Sequence, residues 1–286
     1  MSAALKPQTI GAIRRFVALN TSRDGLKELF LDGGANAERI LKISLASPMG
    51  AKGYISASVL LNQGFDTIYD DFDRPEADGI LLRMAGILVQ RNQERLKEGS
   101  LEDLEQGLSA SGLTVSQITQ ATEATMLLEA ATDRAGAVQL REVTELLTKG
   151  LRRLVTDRSG AITACTSAAE SACRVALERL GLPLPAGKQL PEYLNALCQQ
   201  TNIEALARVS GDDTKKVFTS LRSLAQNAYQ AAHQLGDRHA HGENSREPSP
   251  FAADLLVSSC AALTILIAGA LARNELKVSN PLSKTS

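Results

Sequence analysis

Tryptophan is absent from this chain and the other aromatics are scarce, so a β-sandwich with an aromatic core is excluded as the first expectation. Charge of one sign is lacking as well. A formal net charge of -1 gives no global electrostatic attraction to nucleic acid, and any such contact has to be local. The four cysteines, Cys165, Cys173, Cys198 and Cys260, form no CxxC pair, which argues against a disulfide framework or a zinc site. They read as small core residues of a reducing compartment. The N-terminus MSAALKPQTIGAIRRF has no apolar run of the kind a signal peptide needs. One charge-free run is long enough to need weighing, Leu255 to Ala272. It is near the lower limit for a membrane span. Its Ser258, Ser259, Cys260, Thr264 and Gly269, bracketed by Asp254 and Arg273, favour a buried core helix.

What is present is alanine and leucine at helical spacing, and 286 residues suffice for two domains. The expected fold is all-α. Residues 1–113 read as an N-terminal helical module without a chemical motif. Thr21-Ser22 is the start and Gly33-Gly34 the stop of one of its helices. Asp70 to Pro75 reads as a solvated acidic turn, since its carboxylates lack the regular spacing of a calcium loop. Glu76 to Glu98 is a long amphipathic helix carrying Ile80, Leu81, Met84, Ile87 and Leu88. Residues 114–157 fit one long connector helix, or two broken near Asp133 to Gly136. Such a helix needs a packing partner in water, either the C-terminal half or a second copy of the chain. Residues 158–275 read as a four-helix bundle: Ala161 to Leu180, Pro191 to Gln199, Asp213 to Leu235 and Phe251 to Glu275. Residues 276–286 read as a loose tail. Arg152, Arg153 and Arg158 make a local basic spot whose plainer reading is solvated surface.

All three histidines, His233, His239 and His241, lie close together in the last turn of the third bundle helix and just beyond it, around Gly236-Asp237. Imidazoles at a helix end, with Arg238 and Asp237 between them, can hold a phosphate or move a proton near neutral pH. A solvated cap accounts for them equally. As a metal array, H-x5-H-x-H has only Asp237 and Glu243 for carboxylate support, so no metal is expected.

The runs SGAITACTSAAESACRVALERLGLPLP, LPEYLNALCQQTNI and SLRSLAQNAYQAAHQLGDRHAHG, followed by an Ala-rich helix, resemble the abortive-infection C-terminal domain, a branch of the HEPN superfamily. The resemblance spans residues 155–275. It implies a four-helix bundle, a role in phage defence and, in the nuclease members, metal-independent cleavage of RNA without a cofactor. The family's third helix ends in Arg-Asn, a few residues, Gly-Asp, one residue and His-Gly. Aligned on Gly236-Asp237, the His falls on His239, the following Gly on Ala240, the Asn on His233 and the Arg on Ala232. The resemblance implies that His239 activates a ribose 2′-OH while an Arg steadies the phosphate. Seven helical residues return to nearly one face, about 10 Å along the axis, so such a pair shares a cleft. Alanine at 232 cannot bind phosphate, and Arg238 is the Arg nearest to His239. Glu170 falls on the family's first-helix Glu and is expected to support the site; an exposed helix charge accounts for it equally.

Two readings follow: an HEPN-type endoribonuclease with His239 and Arg238 as its pair, or a non-catalytic HEPN-like module that senses a partner, RNA or a nucleotide. Either is expected to be a cytoplasmic homodimer with no membrane association and no obligatory metal. RNA is the candidate further partner.

Overall fold

The protein is described by a computed structural model covering residues 4–45, 56–92, 95–119, 123–208, 212–235 and 248–279. The all-α expectation holds. Among the described residues there is no strand, and the pairing of Thr201 with Val278 is an isolated bridge.

The chain divides into two compact units, Met1–Ala121 with Val155–Asp157, and Thr122–Leu154 with Arg158–Ser286. The first holds α1 (Pro7–Asn20), α2 (Arg23–Gly33), α3 (Ala37–Leu45), α4 (Ala57–Asp71), α5 (Arg74–Asn92), α6 (Ser100–Ser109) and α7 (Val115–Thr119). Local chemistry sets these ends. Ser22 caps α2 by accepting from the Gly25 N–H at 3.2 Å, and Gly34 closes it at φ 95°, where a side chain would be strained. Asp73 accepts from the Glu76 N–H at 3.1 Å, so α5 begins ahead of Glu76. That helix ends at Asn92, short of the expected Glu98. The acidic turn meets Arg39, which pairs with Asp70 and Asp71.

The second unit holds α8 (Glu123–Ala137), α9 (Arg141–Arg153), α10 (Arg158–Arg179), α11 (Leu190–Gln200), α12 (Ile203–Arg208), α13 (Asp212–Leu235) and α14 (Pro250–Ala272). Three expectations change here. Residues 114–157 are not one helix. They contain α7, α8 and α9, and the break between the last two falls after Asp133 to Gly136, at a turn where Gln139 takes φ 56°. Both α8 and α9 are integral to the second unit, α8 on α9 and α14, α9 on α10. From residue 158 onward there are five helices among the described residues, because the short α12 intervenes. And 276–279 are not loose. The Lys277 N–H donates to Asn202 Oδ1 at 2.7 Å, the Asn202 N–H to Lys277 O at 3.0 Å, and the Ser279 N–H to Gln200 O at 2.8 Å.

Helix α14 is long and apolar enough to cross a membrane by length and composition. It is packed here as a core helix, against α8, α10 and α13, with Val257, Cys260, Leu263, Thr264 and Ile267 buried. Ser249 caps it, accepting from the Ala252 N–H at 3.2 Å, with Pro250 where its missing N–H costs nothing.

Candidate functional site

The second unit is built on α10, whose Ala168, Ala169, Ala172, Cys173 and Ala176 are all fully buried. Small side chains let helices approach closely. At Gly150 of α9 a Cβ would stand 2.5 Å from the Cys165 sulfur, so glycine is needed there. Burial lifts the thiol of Cys165 well above its ordinary range, and nearby Cys260 adds to the effect. Cys198, half-buried, is pushed up to about 11 by burial, against the pull of Arg222. All four cysteines are free thiols and none is primed as a nucleophile.

Polar clasps fix the helices in rotation. Glu142 of α9 accepts from Ser171 Oγ at 2.9 Å and from Arg174 Nη2 at 2.5 Å, while Arg174 Nη1 reaches Glu178 at 2.9 Å. Arg222 of α13 donates to Asn195 Oδ1 of α11 at 2.5 Å and faces Glu204 of α12 at 3.3 Å. Sequence reasoning missed these residues. The faint signal was local: Arg174 stands four residues from Glu178, the spacing at which charges pair on a helix.

Helix α13 turns Ala225, Ala228, Tyr229 and Ala232 into the core. Ala232, the position onto which the resemblance aligns the family's Arg, is 3% exposed and belongs to the main core cluster of the unit. His233 is half-buried, and its ring meets that of Tyr229 edge-on, centroids 4.5 Å apart and planes at 71°. Four residues separate the two, so the contact follows from helix geometry. Glu170 is half-buried on α10, with Oε2 shielded from solvent. It is therefore not the freely exposed helix charge of the plainer reading. Asp237, Arg238, His239 and His241 lie outside the described residues. Of the basic spot, Arg153 is buried and Arg152 and Arg158 half-buried, which corrects the expectation of a solvated surface. Among the described residues no group of three or more His, Cys, Asp or Glu side chains could hold a metal ion.

Comparison with curated proteins and with solved structures gives no match. A family model for the abortive-infection C-terminal region, described as a HEPN-like domain, matches residues 141–271, from the first residue of α9 to the last turn of α14. The match takes in α10, the α13 segment with Ala232 and His233, and the core helix α14. This part of the chain belongs to the abortive-infection C-terminal family, and it is a HEPN-like domain.

Proposed function

We propose that this abortive-infection protein works in phage defence as a cytoplasmic, non-catalytic HEPN-like module that senses a partner, with RNA or a nucleotide as the ligand class. The observation that carries this reading is Ala232. Its side chain is in the core, so the helix position that bears the family's Arg faces packed side chains in place of a cleft. A guanidinium there would have to displace packed core side chains and lose its solvation, which is costly without a partner.

The pattern Gly236-Asp237-x-His239 supports a second reading. In it His239 is the general base of a metal-independent ribonuclease and Arg238 the phosphate contact. Glu170, His233, Asp237 and His241 would support that pair. In that reading Arg238 would serve the His239 of a second copy. A homodimer fits both readings. Phe251, 77% exposed, and Leu255, 44% exposed, stand one turn apart on α14 and offer an apolar face to another chain.

Expression in a bacterium under phage challenge separates the two readings. The sensing module predicts that His239→Ala and Arg238→Ala both keep protection. If both variants lose protection together with cleavage of cellular RNA, while light scattering still finds a dimer, the ribonuclease reading replaces it. A monomer at micromolar concentration removes the shared cleft.

A further inference from the structure

In the second unit, α12, α13, the last turns of α14 and the residues just after it line a half-open pocket of about 390 Å³. Its walls are apolar: Ile203, Leu206, Phe218, Leu221, Leu266 and Ala270. Sites for small molecules start at about 300 Å³ and combine such walls with a few convergent polar groups. Here the polar groups are Thr214 and the charged pair Arg273 and Glu275, with Arg273 Nε 2.8 Å from Glu275 Oε2.

This charged pair is held in place by its backbone. The Glu275 N–H donates to Ala270 O at 3.0 Å, and the Glu275 carbonyl accepts from Asn202 Nδ2 at 3.0 Å. Arg273 lies back over Gly269, where a Cβ would come within 3.3 Å of Nη1. The side chains are 56% and 41% exposed, so their mutual attraction is small and easily exchanged for a ligand's. Glu275 takes the Nε of the guanidinium, and the Nη edge has the fork geometry that accepts a carboxylate by two parallel hydrogen bonds.

The two charges select the ligand. A fatty acid would satisfy Arg273 but bring its carboxylate beside Glu275. An amine would satisfy Glu275 but face Arg273. A zwitterion with both charges on one carbon answers both, and the apolar walls ask for a large apolar substituent on it. We propose that this pocket binds a free α-amino acid with a large apolar side chain, its carboxylate on Arg273 and its ammonium on Glu275.

The test is calorimetric titration of the full chain with leucine and with phenylalanine, alongside their N-acetyl and amide forms and decanoate. Saturable binding is expected for the free amino acids, weakened about 10- to 100-fold by acetylation, by amidation and by Arg273→Gln, each of which removes a charged hydrogen bond. Arg273 is exposed, so its variant keeps the helical circular dichroism of the parent. Ala270→Leu, which fills the pocket, should abolish binding. The proposal is overturned if neither amino acid saturates by about 10 mM, well above a weak millimolar Kd. It is equally overturned if decanoate binds as tightly, or if Arg273→Gln leaves the affinity unchanged.

Discussion

The two units solve the same packing problem with different side chains. In the first, Phe16, Phe30 and Phe65 are fully buried, and the rings of Phe30 and Phe65 meet edge-on at 6.1 Å. A Cβ on Gly64 would collide with the Phe30 ring, and Arg14 covers the Phe65 ring at 4.9 Å. In the second, the central helix contributes alanine and cysteine, and among the described residues aromatics enter its core cluster only as Tyr193, Phe218 and Tyr229. Large rings fill the space between the helices of the first unit, while the small residues of α10 let the long helices α13 and α14 pack closely on it. The first unit should therefore be hurt most by making side chains smaller, the second by making them larger.

That contrast can be broken most directly in the cores. Phe30→Ala should cost about 3–5 kcal/mol in denaturant unfolding, whereas Ala169→Leu should cost about 1–3 kcal/mol through overpacking. A neutral Ala169→Leu would mean that the α10 seam has room to spare.

Next in size is a buried carboxylate. Asp78 accepts from the Leu5 N–H at 2.8 Å, Tyr69 OH at 2.8 Å and Arg74 Nε at 3.1 Å, tying the start of the chain to α5. Burial first, and then the charge and hydrogen bond of Asp78, push the Tyr69 phenol above its ordinary range. Asp78→Ala should destabilise the first unit by about 1–3 kcal/mol for each polar group left unsatisfied. By ultraviolet titration it should also lower the pH at which Tyr69 ionises, without returning it to that of a free phenol.

The smallest effect sharpens the comparison with a carboxyl of the second unit. Partial burial raises the pKa of Asp254 above 3.8, against the pull of Arg158. The folded state then holds this proton more tightly than the unfolded one. Its contribution is full below 3.8 and is lost as pH rises through the raised folded value. Asp254→Asn should flatten that part of the pH profile of the unfolding midpoint. An unchanged profile would assign the slope to other groups.

Much of this was legible because helix signals are local. Ser22 and Gly34 bound α2 as capping chemistry requires, and the apolar spacing of α10 and α13 can be read off the chain. The turn at Gln139 was not legible, because a non-glycine at positive φ leaves no mark in the sequence. Nor was the fixing of Lys277 by Asn202, a contact across 75 residues. At the candidate site, resemblance located Ala232 and Glu170. That Ala232 faces the core, and that Arg174 is spent on Glu142, depend on which helices lie alongside.

The sequence by itself determined that the chain is helical, where most helices start and stop, and that a HEPN-like segment occupies its second half. Tertiary structure alone decided which side of α14 is covered. That helix is apolar nearly all round, so its sequence has no polar face to direct outward. Only the positions of α8, α10 and α13 bury Val257 and Ile267 while leaving Phe251 in water.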